Sequence, residues 1–129
     1  MTNSPAAAHD ALPDDAPHIL VVDDDQRIRD LLARYLVQNG YRVTTASDAA
    51  TARASMRGLA FDLILLDWMM PGESGIELAR ELTNHIDVPV CMLTARTDPE
   101  QRVVGLEAGV EDYIQKPFEP RELLLRLRN

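Results

Sequence analysis

The chain has 129 residues, enough for one domain with one substantial core. Hydrophobic content of 46% and charged content of 26% are those of an ordinary globular protein. A net charge of −8 argues against this chain itself gripping a nucleic-acid phosphate backbone.

Residues 1–17 (MTNSPAAAHDALPDDAP) hold three prolines, small residues and no periodicity, and read as a flexible tail. Neither a basic-then-apolar leader nor an apolar run of about 18–20 residues is visible. A cytoplasmic protein with no membrane contact is therefore expected. Strand candidates follow at Ile19–Asp23, Arg42–Ala46, Leu63–Asp67, Val88–Leu93 and Asp112–Gln115. They are short, apolar and rich in β-branched residues, as strands buried on both faces are. Helical patterns lie between them. Ile28, Leu31, Leu32, Tyr35 and Leu36 repeat with helical spacing in Gln26–Asn39, and Gly40 follows as a stop. Ser47 or Asp48 caps a helix to about Arg57, and Ser74-Gly-Ile-Glu77 is a capping box opening a helix to about Asn84. Asp98-Pro99 opens a helix ending near Gly109, and Pro120 opens the last, over Glu122–Leu127. The lone cysteine, Cys91, lies in an apolar run and reads as core filler; it excludes an internal disulfide.

Five β-α units in a row predict an α/β fold. It would be a five-stranded parallel sheet in order 2-1-3-4-5, a flavodoxin-like (βα)5 architecture with helices on both faces. Ligands in such sheets bind at the carboxyl ends of the strands, where the order reverses between strands 1 and 3. At those ends stand Asp23-Asp24-Asp25, Asp67, Thr94 and Lys116. Each alone reads as a cap, a turn residue or a surface charge. Together they place three or more carboxylates, a hydroxyl and an ammonium on one rim. Converging carboxylates need a balancing cation. All-oxygen donors without histidine or thiol favour Mg2+, which also accepts phosphate oxygens. One carboxylate is then the nucleophile of an aspartyl-phosphate chemistry. Asp67 fits best, since it ends the central strand and a flexible PGESG loop follows. Thr94 and Lys116 are placed to contact phosphoryl oxygens. Asp25 reads instead as the N-cap of the first helix.

These residues bring the chain to a known family. The stretches ILVVDDD, LILLDWMMPGESGIEL, VCMLTAR and EDYIQKPFEPREL resemble the receiver domain of bacterial two-component response regulators. The cues DWMMPGESG, MLTAR and KPFEPRELL are similar to the OmpR/PhoB-type subfamily. The resemblance implies that Asp67 is the phosphoacceptor, charged by a sensor histidine kinase. Asp23, Asp24, Asp67 and the Met69 backbone carbonyl would hold Mg2+. Thr94 would be the switch hydroxyl, Tyr113 the switch aromatic and Lys116 the phosphoryl partner, with a cis peptide before Pro117. The side chains of Met69 and Arg96 occupy positions that tune dephosphorylation in this family. Neither is a carboxylate or an amide, so a long-lived phosphorylated state is expected.

The resemblance also implies a homodimer on phosphorylation through the fourth helix, fifth strand and fifth helix. Arg102, Glu107, Glu111, Asp112, Arg121 and Arg126 would offer intersubunit ion pairs there, although plain solvated charge explains them as well. Residues 18–129 would be the receiver, a fragment of a longer transcription factor whose winged-helix domain alone contacts DNA. The chain is expected to be a signalling phosphoacceptor that assists its own phosphorylation and dephosphorylation, rather than a turnover enzyme. Two other classes share parts of this pattern. A haloacid-dehalogenase-type phosphatase needs a second acid two residues after its nucleophile, where Met69 stands. A flavodoxin-like carrier needs a hydroxyl- and glycine-rich phosphate loop after strand 1, where three aspartates stand. A degenerate receiver used only for binding would not need the acids, the threonine and the lysine together.

Overall fold

The structure, a computed structural model, describes residues 15–95 and 98–128. Its elements are β1 (His18–Val22), α1 (Gln26–Gln38), β2 (Arg42–Ala46), α2 (Ala49–Gly58), β3 (Leu63–Asp67), α3 (Gly75–His85), β4 (Val90–Thr94), α4 (Pro99–Ala108), β5 (Asp112–Gln115) and α5 (Pro120–Leu127). All strand pairs are parallel, in the order β2-β1-β3-β4-β5.

Side-chain alternation along the strands divides the core in two. Ile19, Val21, Leu65, Cys91, Leu93 and Ile114 point to one face, where Leu32 and Leu36 of α1 and Leu123 of α5 cover them. Leu20, Val22, Ile64, Leu66, Val90 and Met92 point to the other, under residues of α2, α3 and α4. The three central strands therefore bury both faces, which explains their unbroken apolar runs. The edge strands differ. β2 (RVTTA) is largely half-exposed, and β5 (DYIQ) buries only Ile114.

Caps end the elements where the sequence places them. Asp25, Asp48, Ser74 and Asp98 each accept a backbone N–H at a helix start, and Ser74 with Glu77 completes a capping box. Gly109 closes α4 with φ of +87°, a left-handed position that suits glycine. Two strands shift at both ends, and β1 starts at His18, one residue early. β1 stops at Val22, one residue short of Asp23. β4 starts at Val90, because Pro89 has no N–H for the ladder, and it extends to include Thr94. Ala16 and Pro17, read from sequence as tail, are tied to the body. Ala16 is buried, and the carbonyls of both residues accept hydrogen bonds from Arg42, at 2.9 and 2.8 Å. No helix among the described residues is long and apolar enough to cross a membrane.

His18 is a buried titratable group at the amino end of β1. Its ring packs on Phe61 at 4.5 Å between centroids, and Nε2 shares a hydrogen bond with the Thr44 hydroxyl at 2.8 Å. Burial lowers its pKa below the usual 6.5, and the Arg42 charge adds to the effect. The unfolded chain then binds the proton more readily than the fold. The contribution of His18 to stability is complete above about pH 6.5 and is lost as pH falls from there through the lowered folded value. A His18→Gln variant is expected to lose this part of the pH dependence. The difference between the urea midpoints of wild type and variant, followed from neutral to acid pH, measures it; a constant difference counts against it.

Candidate functional site

The carboxyl ends of β1 and β3 meet where the strand order reverses, and the Lys116 side chain, just after β5, reaches them. Asp23 follows β1, and its N–H still bonds the Ala46 carbonyl at 3.1 Å, which holds the residue at the sheet edge. Its side chain is fully buried, accepting the Asp25 N–H at 2.9 Å and Lys116 Nζ at 2.9 Å. Asp67 ends β3 and is 4% exposed. Lys116 Nζ donates to its Oδ1 at 3.1 Å. Asp24 lies beside them with its side chain in solvent. One carboxylate oxygen from each of Asp23, Asp24 and Asp67 falls within a mutual 4.8 Å.

The electrostatics follow from this crowding. Burial raises the Asp67 pKa, the Asp23 charge raises it further, and Lys116 only partly offsets both, so it stands at about 6. Lys116 feels the reverse balance. Burial alone would lower its pKa, but the hydrogen bonds and charges of Asp23 and Asp67 outweigh that and raise it. Two negative carboxylates and one lysine leave the cluster short of positive charge before Asp24 is counted. Three hard oxygen donors this close, one of them facing solvent, could hold a metal ion.

The loop after Asp67 is held by backbone contacts. Trp68 N–H bonds the Leu93 carbonyl at 3.0 Å, and Gly75 N–H bonds the Trp68 carbonyl at 2.9 Å. Gly75 is required by space: a Cβ there would lie 1.9 Å from the Asp67 carbonyl oxygen. Arg53 of α2 reaches across to Glu73 in the same loop and to Glu81 of α3, at 2.6 and 2.7 Å. Met69, two residues past Asp67, is 71% exposed. Arg96 lies outside the described residues.

Thr94 ends β4 and is buried; its hydroxyl donates to Gln101 Oε1 at 3.1 Å. Tyr113 stacks on Trp68 at 6.4 Å between centroids, and its hydroxyl approaches the carbonyls of Gln101 and Arg102 at 3.4 and 3.3 Å. The Lys116–Pro117 peptide is cis. Asp25 stands apart from the carboxylate cluster as the cap of α1, accepting the Arg27 N–H at 2.9 Å.

The charged residues considered for intersubunit pairing divide. Arg126 is occupied within its own chain, bonding both Asp112 oxygens at 2.9 and 3.0 Å and Glu122 at 3.3 Å. Arg102 and Glu107 of α4, Glu111 just before β5 and Arg121 of α5 are exposed, and Val103, Leu106 and Leu125 expose apolar surface on those two helices. Sequence reasoning missed Gln101, Gly75 and Arg53. Gln101 stands three residues after the Asp98 cap, and Gly75 directly after the Ser74 cap. Both spacings are visible in the sequence, but the contacts are not.

Residues 19–128 match the family model for the response regulator receiver domain. The chain is 55% identical over 111 residues to Protein PetR of Rhodobacter capsulatus, covering 86% of this chain and 47% of that protein. It is 48% identical over 113 residues to the phosphate regulon transcriptional regulatory protein PhoB of Pseudomonas aeruginosa, covering 85% and 49%. The chain thus spans about half the length of the curated relatives it matches. Among solved structures, the receiver domain of the TMAO respiratory system response regulator TorR superposes with a TM-score of 0.83 at 40% identity, covering 88% of this chain and 94% of that one. The chemotaxis protein CheY4 of Vibrio cholerae superposes with a TM-score of 0.83 at 34% identity, covering 88% and 97%.

Proposed function

The chain belongs to the response regulator receiver domain family, with relatives of the OmpR/PhoB type, and from that premise we propose that Asp67 accepts a phosphoryl group from a sensor histidine kinase. The observation that carries this reading is the gathering of Asp23, Asp24 and Asp67 around Lys116 at the topological switch point. A carboxylate oxygen of Asp67 attacks phosphorus as the bond to the donor histidine nitrogen breaks. The freed imidazole takes up a proton from solvent. Asp67 is suited to this because it is ionised above about pH 6 and is held by the β3 backbone. Lys116 Nζ is within reach of the acceptor oxygen, and it balances charge on the phosphoryl group. Asp23, Asp24, Asp67 and the Met69 carbonyl would hold Mg2+. Bound there, the ion supplies positive charge to the phosphoryl oxygens and offsets the acidic cluster.

Thr94 and Tyr113 are the residues through which phosphorylation biases the face formed by α4, β5 and α5. That face pairs receivers into a homodimer, using the exposed Arg102, Glu107, Glu111 and Arg121 with Val103, Leu106 and Leu125. Residues 18–129 form the receiver, and contact with DNA belongs to an output domain rather than to the receiver. The domain assists its own phosphorylation and its hydrolysis. The Met69 side chain, and Arg96 by its position, leave no acid or amide to orient an attacking water, so the phosphorylated state is long-lived.

Trp68 adjoins the acceptor and is the chain's single tryptophan. Its fluorescence is expected to change when Mg2+ is added to the metal-free protein, and again when phosphoramidate follows. Silence in both steps would count against the reading.

A further inference from the structure

We propose that Gln101 is a latch that holds the Thr94 hydroxyl in the unphosphorylated conformation. The proposal rests on the phosphoacceptor role of Asp67. Thr94 is 2% exposed, and its hydroxyl donates to Gln101 Oε1 at 3.1 Å. A hydroxyl has one proton to donate. While Gln101 accepts it, that proton is not available to an oxygen of a phosphoryl group on Asp67. Phosphorylation therefore has to break this bond before Thr94 engages.

The latch is built on a fixed base. Gln101 is the third residue of α4, and its N–H is bound by the Asp98 cap at 2.9 Å. Its carbonyl also faces the Tyr113 hydroxyl at 3.4 Å, a long contact shared with the Arg102 carbonyl at 3.3 Å. One turn further along, Gly105 makes room for that tyrosine. A Cβ at Gly105 would lie 1.1 Å from the Tyr113 hydroxyl oxygen. The first two turns of α4 thus hold Thr94 from β4 and Tyr113 from β5 at once. Releasing Thr94 removes one of the side-chain contacts that fix α4, the helix that exposes Val103 and Leu106.

The bond stabilises one conformation and not the other, which is what shifts a two-state equilibrium. Losing one hydrogen bond from the unphosphorylated state corresponds to about a 3–10-fold shift. The test uses the whole chain with Mg2+ and beryllofluoride as phosphoryl mimic, followed by Trp68 fluorescence. Gln101→Leu, and Gln101→Met as a second variant, are expected to lower the half-saturating beryllofluoride concentration by about 3–10-fold. The same Gln101 substitutions placed on Thr94→Val should change nothing further, because the latch has no hydroxyl to hold. Unchanged or weaker binding by both single variants overturns the latch. An equal gain in the Thr94→Val background overturns it too, since the gain would not pass through Thr94. A wild type that gives no fluorescence response removes the reading of Asp67 and the latch with it. That result is distinct from a responsive wild type with indifferent Gln101 variants.

Discussion

Asp67→Asn is expected to take no phosphoryl group from phosphoramidate and, without magnesium, to unfold at a higher urea concentration than the wild type. The first effect is the loss of the proposed nucleophile, the carboxylate oxygen that β3 places beside Lys116. The second follows from linkage. The folded pKa of Asp67 is raised from 3.8 to about 6 by burial and by Asp23. Its favourable contribution is complete below 3.8 and is lost as pH rises through about 6, since the fold then carries a carboxylate it disfavours. Asparagine keeps the shape and never ionises. A carboxyl raised that far disfavours its ionised form by roughly 3 kcal/mol. The substitution also removes a partner of Lys116, and Asp24 leaves the cluster open to solvent, so a gain of about 1–2 kcal/mol at neutral pH is expected. The gain should shrink toward zero as pH falls below about 6, and Mg2+ should stabilise the wild type more than the variant. A variant that is less stable at neutral pH, or one that still labels, contradicts the assignment.

Gly75→Ala is expected to destabilise the fold by about 3 kcal/mol and to slow phosphorylation of Asp67 by about 10²-fold. On helix propensity alone the sign would be opposite, since alanine in a helix is favoured by about 0.5–1 kcal/mol. Sterics decide. The added methyl would sit 1.9 Å from the Asp67 carbonyl oxygen and 2.8 Å from its carbonyl carbon. Both are backbone atoms, so no rotamer relieves the overlap. The start of α3 must move away from β3, breaking the Gly75 N–H bond to Trp68 and displacing the acceptor. Gly58→Ala is the control: it lies in α2 with nothing within 4 Å of its Cβ position, and it should stabilise slightly. Urea midpoints for both variants and the rate of labelling by phosphoramidate measure the effects. A Gly75→Ala protein as stable and as reactive as wild type would show that the loop is not held as described.

Much of the fold was legible because its signals are local. The apolar runs of β1, β3 and β4, the aspartate and serine caps and the Pro99 and Pro120 starts each act within a few residues. Boundaries were less legible. Ala16 is buried and its carbonyl bonds Arg42, 26 residues away, and no pattern in the tail announces either. On the exposed face, residue types alone do not choose between ion pairs within one chain and between two; within the chain, Arg126 and Asp112 pair across 14 residues.

The sequence by itself determined which groups reach the rim. Strand alternation and β-α order place Asp23, Asp67, Thr94 and Lys116 at strand ends whatever the details of packing. The three adjacent aspartates could also be divided there, with Asp25 as a cap, because capping is decided within one turn. Tertiary structure alone decided how those groups are shared. It buries Asp23 and leaves Asp24 in solvent, spreads one lysine over two carboxylates, and gives the Thr94 hydroxyl to Gln101. Those outcomes depend on distances of about 3 Å between residues up to 93 positions apart, and such distances are set by the packing of whole layers.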